Sequence, residues 1–191
     1  MRADQKEITN WLSKTIGNNS FNIEELRQEA SDRKYYRIKA DNVSDVLADN
    51  YDKTDQSANF LYASKILKNS SVNVPEVLAF SEDLRFLLLQ DLGDKSLDTD
   101  NEFKDEKILE MALEQLSKIY FSDQDVLRSA TKESLLIQTD SFIDFCKENK
   151  LSNDELKALE NLRNNLVQNL LNQQFIPTHN DFERRNLMMF E

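Results

Sequence analysis

The sequence predicts an α+β chain in which a small antiparallel β lobe precedes a helical lobe. Three observations carry this. Apolar residues between 21 and 90 fall mostly in short β-rich runs bounded by turn residues. From residue 101 to 173 the apolar period becomes helical. Between the two lies Asp91-Leu92-Gly93-Asp94, where the most apolar run of the chain stops at one of its only two glycines.

Taken in order, residues 4–16 predict a helix, with Ile8, Trp11, Leu12 and Ile16 on one face and Gly17 as its stop. Residues 21–40 predict strand, turn and strand. Phe21-Asn22-Ile23-Glu24 leads through Leu26 to Ala30, Ser31-Asp32-Arg33 turns, and Lys34 to Lys39 returns. Residues 43–48 are a third strand. Residues 54–69 are a helix capped by Thr54 or Asp55, with Phe60, Leu61, Ala63, Ile66 and Leu67 as its buried stripe. A strand over 74–80 carries Pro75 at its start, where a missing N–H does least harm. Residues 85–90 form the central strand.

Helices follow over 102–121 (Phe103, Ile108, Leu109, Met111, Ala112, Leu116, Ile119 and Tyr120 inward), about 132–149, and 153–173. The last opens on a Ser152-x-x-Glu155 capping box. Its leucines at 156, 159, 162, 166 and 170 predict a buried bundle helix, because a coiled coil needs longer heptads. The domains implied are residues 1–92, the β lobe, and 93–191, the helical lobe.

Composition narrows the function. A net charge of −11 over 191 residues argues against nucleic acid, whose phosphates need clustered Lys and Arg. One cysteine, Cys146, excludes an internal disulfide and suits a reducing, cytoplasmic setting. One histidine and one cysteine make a zinc site of the usual ligands untenable. No run approaches the ~18 apolar residues of a membrane span, and the first residues lack the apolar core of a signal peptide.

The chemistry is concentrated in Thr178-His179-Asn180-Asp181-Phe182-Glu183-Arg184-Arg185-Asn186-Leu187-Met188. The spacing H-x-D-x-x-x-x-N is that of a kinase catalytic loop. A carboxylate there takes the proton of an acceptor hydroxyl, and an amide oxygen one tight loop later holds Mg²⁺ on the phosphates. Leu187-Met188-Met189-Phe190 reads as a short strand anchoring the loop. The same residues also suit an ordinary turn. A hairpin tip with Ser31, Asp32, Arg33 and Lys34 either covers phosphates or is a solvated turn.

With these elements in order, the chain resembles the aminoglycoside-phosphotransferase and choline-kinase-like family of small-molecule kinases, which share a protein-kinase-like two-lobe fold. The resemblance rests on Ala30-Ser31-x-Arg33-x-Tyr35-Tyr36-Arg37, Val74-Pro75-Glu76-Val77-Leu78, Leu87-Leu88-Leu89-x-Asp91-Leu92-Gly93, and the loop through Arg185-Asn186-Leu187-Met188. The wording is most similar to bacterial anomeric kinases of N-acetylmuramate and N-acetylglucosamine. The resemblance implies an ATP- and Mg²⁺-dependent phosphotransferase acting on a small molecule, a sugar or amino sugar. Asp181 would be the base, Asn186 a metal ligand, and His179 a brace. The backbone of Gln90, Asp91 and Leu92 would meet adenine, and Ser31 to Lys34 would cover the phosphates. At least one of Arg184 and Arg185 would face phosphate or acceptor, or the two would be a surface pair balancing Glu183 and the acidic chain.

Two departures accompany it. The third strand, Val46-Leu47-Ala48-Asp49-Asn50, has no Lys for the phosphates. Lys39, Lys53, Arg33 and Lys34 are the candidates to replace it. The Asp of a second metal position and the helices completing the acceptor site are also missing, so the expectation is an incomplete helical lobe. These departures leave a non-catalytic nucleotide-binding module as the alternative.

Overall fold

The computed structural model describes residues 5–27, 33–41, 43–51, 54–98, 106–122 and 130–190. Its strands are β1 (Asn22–Glu25), β2 (Lys34–Ala40), β3 (Val43–Asp49), β4 (Val77–Phe80) and β5 (Phe86–Gln90). They form one antiparallel sheet in the order β1-β2-β3-β5-β4. The helices are α1 (Gln5–Ile16), α2 (Thr54–Asn69), α3 (Glu106–Tyr120), α4 (Lys132–Glu148) and α5 (Asn153–Leu171).

The two-residue period of a strand builds two cores from one sheet. Ile38, Leu47, Phe86 and Leu88 face Ile8 and Leu12 of α1, and Trp11 lies 5.4 Å from the Phe86 ring. Ala48, Leu87 and Leu89 form the other core with Phe60 and Leu61 of α2. Four consecutive residues, Phe86 to Leu89, are therefore buried. A one-residue slip of β5 would exchange its two faces, so the register is strongly specified. β5 pairs with both β3 and β4.

Several boundaries differ from expectation. β1 runs Asn22–Glu25, with the Leu26 N–H still donating to the Tyr35 carbonyl at 2.8 Å, and residues 28–32 of the expected strand and turn lie outside the described residues. β4 starts at Val77 rather than 74, beyond the proline that cannot donate to a ladder. Ala63, expected in the stripe of α2, is exposed, and Ser57 is buried in its place.

The chain divides into two units, residues 1–122 with 179–191, and residues 123–178. The first holds the sheet, α1 to α3 and the His179–Asn186 loop. There α3 is tied back by the Asn73 N–H, which donates to Gln115 Oε1 at 2.8 Å. Ile119 is buried, but Met111 and Tyr120, expected inward, are exposed.

In the second unit α4 and α5 pack together, and Ile143, Cys146 and Val167 are buried. Capping boxes at Thr131/Ser134 and Ser152/Glu155 fix the starts of the two helices. The expectation of a buried α5 is corrected. Leu162, Leu166 and Leu170 are 54%, 55% and 42% exposed. A helix packed on one neighbour buries one stripe, and Val167 occupies it. No described helix is long and apolar enough to cross a membrane.

Candidate active site

The loop begins with a reversal. Asn180 has φ 63°, a left-handed conformation that Asn tolerates better than most residues. Immediately after it, the Asp181 carbonyl accepts from the Glu183 N–H at 3.0 Å and from Asn186 Nδ2 at 3.0 Å. Asn186 Nδ2 also donates to Asp181 Oδ2 at 2.8 Å. A single 3₁₀ turn, Arg184–Asn186, closes the interval, with the Asn186 N–H on the Glu183 carbonyl at 2.9 Å. The five-residue spacing thus brings the carboxylate and the amide side by side, and both side chains are exposed. His179 sits edge-on to Phe182, ring centroids 5.7 Å apart.

The expected strand at 187–190 is reduced to one antiparallel bridge, Ser96 to Met188. The Leu97 N–H donates to the Leu187 carbonyl at 2.9 Å, and the Met189 N–H to the Lys95 carbonyl at 2.8 Å. This short ladder pins the loop to the segment just after β5.

Beside the loop lies a 580 Å³ cleft, floored by Leu97, Leu109, Phe182 and Leu187 and rimmed by Asp98, Arg184 and Arg185. Arg184 pairs with Asp98 at 3.5 Å, and Arg185 with Glu183 at 2.8 Å. Each arginine has a carboxylate beside it and each also lines the cleft.

At the end of β5, the Gln90 N–H donates to the Glu76 carbonyl at 2.8 Å, and Gln90 Oε1 accepts from the Glu76 N–H at 3.2 Å. The Leu92 N–H donates to no described residue. Asp91 turns its carboxylate inward. Arg37 Nε and Nη2 donate to it at 2.8 and 3.2 Å, Ser44 Oγ at 2.5 Å, and the Gly93 N–H at 2.9 Å. Gly93, at φ 79°, supplies the left-handed turn that makes the last contact possible. Burial alone would raise the Asp91 pKa. The donors from Ser44, Arg37 and Gly93, with the charge of Arg37, outweigh it and hold the carboxyl below the usual range. Donation to Asp94 and to Asp91 raises the Arg37 pKa further. Burial, then the Asp91 charge, raises that of neighbouring Asp45.

Of the tip residues, Ser31 and Asp32 lie outside the described residues, as does Lys53. Arg33 donates to Tyr35 Oη at 3.2 Å and to Gln56 Oε1 at 3.4 Å. Lys34 is paired with Glu25 across β1 and β2, and Lys39 with Glu24 at 3.2 Å. The absent strand lysine leaves Asp49 at the end of β3, buried and paired with Arg85 at 3.1 Å.

Sequence reasoning missed Arg37, Ser44 and Asp94 as a set. The available signal was a charged residue inside the β run Tyr35-Tyr36-Arg37-Ile38. A lone arginine there has to find carboxylates, and two flank the Leu-Gly turn. Among the described residues no three His, Cys, Asp or Glu side chains converge on a metal position. The oxygen donors that stand together are Asp181 and Asn186.

The sheet, the connection behind β5 and the H-x-D-x-x-x-x-N loop are parts of a protein-kinase-like fold. Residues 22–191 match the model of the APH phosphotransferase enzyme family, and the chain belongs to that family. It is 26% identical over 97% of its length to the N-acetylmuramate/N-acetylglucosamine kinase of Neisseria meningitidis serogroup B. It is 28% identical over 85% of its length to the kinase of the same name from Pseudomonas aeruginosa. It spans 58% and 50% of these two relatives. In fold it is similar to the solved gentamicin–APH(2″)-IIa complex, with a TM-score of 0.66 and 18% identity, covering all of this chain and 67% of that one. The streptomycin–ATP–APH(2″)-IIa ternary complex gives 0.61 and 17%, covering all of this chain and 68% of that one.

Proposed function

We propose that the protein takes part in ATP-dependent transfer of a phosphoryl group to a hydroxyl of a small molecule, an amino sugar of the N-acetylmuramate and N-acetylglucosamine type. The observation that carries this is the Asp181–Asn186 pair, joined at 2.8 Å on an exposed loop tied to the segment after β5. Asp181 accepts the hydroxyl proton, which raises the nucleophilicity of the attacking oxygen. His179 braces the loop through Phe182. The backbone of Gln90, Asp91 and Leu92 meets adenine, and the Leu92 N–H is the donor left for it. Ser31, Asp32, Arg33 and Lys34 cover the phosphates, and residues 1–92 and 93–191 act as the two lobes.

The donor set suits magnesium. With Asn186 Nδ2 committed to Asp181, its Oδ1 remains as a hard oxygen donor beside a carboxylate. A magnesium ion held there would neutralise charge on the transferred phosphoryl group. ATP as donor implies a cytoplasmic site of action.

A second reading is favoured by the missing lysine on β3, namely nucleotide binding without transfer. Calorimetry of the 191-residue chain with ATP and Mg²⁺, alongside phosphate transfer to N-acetylmuramate and N-acetylglucosamine, separates the two. Binding with turnover supports the first. Binding without turnover supports the second. No binding of ATP sinks both.

A further inference from the structure

Arg37 belongs to neither the loop nor the turn assigned to adenine, yet it is buried and bonds the carboxylates at both ends of that turn. It is 8% exposed. Across the sheet it sits opposite Val46 of β3, which is itself opposite Leu89 of β5. Directly opposed residues share a face, so Arg37 lies on the face of the Ala48–Leu87–Leu89 core. From there its guanidinium reaches past the end of β5. Nε and Nη2 meet Asp91 at 2.8 and 3.2 Å, and Nη1 and Nη2 meet Asp94 at 2.9 and 2.7 Å. Two carboxylates, three residues apart and on either side of Leu92-Gly93, are clamped by one planar fork.

That geometry has a directional consequence. Four charge-assisted bonds fix the two ends of the turn, and the Gly93 N–H on Asp91 fixes its middle. Ser44 Oγ adds a tie to the start of β3. The short segment that must present backbone atoms to a base is thus set from β2, fifty-four residues away in sequence. A lysine could not reproduce this, since a point charge cannot span two carboxylates bidentately.

We propose that Arg37 is a positioning residue for the nucleotide base: by clamping Asp91 and Asp94 it sets the backbone of Gln90, Asp91 and Leu92 in the orientation that receives adenine. The inference rests on the ATP-binding reading above. It concerns the base and not the phosphates, because none of the clamp's contacts involves Arg33, Lys34, Asp181 or Asn186.

The test uses the 191-residue chain and two probes, ATP and inorganic tripolyphosphate, each titrated by calorimetry in Mg²⁺. Arg37→Gln is expected to weaken ATP about tenfold, the size of one misaligned hydrogen bond, while tripolyphosphate affinity stays level. Arg37→Lys is expected to recover only part of that loss. Should Arg37→Gln fail to fold, Asp94→Asn removes half of the clamp from a side chain that is 81% exposed. It is expected to weaken ATP about threefold, again sparing tripolyphosphate. Equal affinity of wild type and variant for ATP overturns the inference and leaves the ATP reading standing. A parallel loss for both probes also overturns it, since that is the mark of a general structural role. A wild-type chain that binds tripolyphosphate but not ATP, or neither, overturns the ATP reading and this inference with it.

Discussion

Asp91 and Asp181 are two carboxylates of one unit in opposite surroundings. The Asp91 side chain is 8% exposed and takes donors from an arginine, a serine and a backbone amide. Asp181 is exposed, and among the described residues its side-chain partner is Asn186, five residues along the same loop. The first is fixed by tertiary contacts drawn from β2 and β3, the second by local geometry. A group that only orients backbone gains from burial, because low dielectric strengthens its hydrogen bonds. A group that must exchange a proton with a substrate has to stay reachable. On the proposed function, the difference would separate scaffold from chemistry.

The sharpest way to break this contrast is Asp181→Asn. Phosphate transfer to the amino sugar is expected to fall about 10²–10⁴-fold, the range for a lost general base. The urea midpoint should barely move, because asparagine still accepts from Asn186. Full turnover in the variant would remove Asp181 from the chemistry. Next comes Leu47→Ala in the sheet that carries the clamp. Leu47 is 0% exposed, and its truncation is expected to cost about 2–5 kcal/mol in urea unfolding, the range for large-to-small core changes.

Acid should distinguish the two carboxylates further. The Asp91 pKa is depressed in the folded state, so its stabilisation is complete above the ordinary Asp value and is lost as pH falls through the depressed one. The Asp45 pKa is raised, so its charged form is disfavoured in the fold, and protonation relieves that as pH drops towards the ordinary value. Melting temperature should therefore hold or rise slightly on mild acidification and fall only below about pH 4. Asp91→Asn should flatten that final fall. The smallest effect is expected at the rim. Asp98→Asn removes a 3.5 Å pair with Arg184 whose side chains are 44% and 52% exposed. Stability should change by less than about 1 kcal/mol, which thermal unfolding in low salt would register.

What could be read from the chain follows the same divide. The β5 run announces a doubly covered strand, because four adjacent apolar residues satisfy both faces of a sheet. The Ser152-x-x-Glu155 box is legible because its donors and acceptors are three residues apart. The Asp181–Asn186 pair is legible for the same reason. Arg37 was visible only as part of a motif, since its partners are fifty-four and fifty-seven residues away. The leucines of α5 give a correct helix and an incorrect burial. Periodicity specifies an apolar face but carries no information about what covers it. Ser31 and Asp32, proposed above to cover the phosphates, fall outside the described residues.

The Ser96–Met188 bridge also bears on how the molecule comes to exist. It joins segments roughly 90 residues apart, whereas β2 and β3 meet across a tight hairpin. Contacts of such long separation pay their closure entropy before any reward, so the hairpins should assemble first and the loop should dock late. Substitutions at Met188 or Leu187 would then speed unfolding far more than they slow folding, and a chevron plot would register them on its unfolding arm. The portion of the chain nearest the chemistry would be the last to arrive and the first to leave.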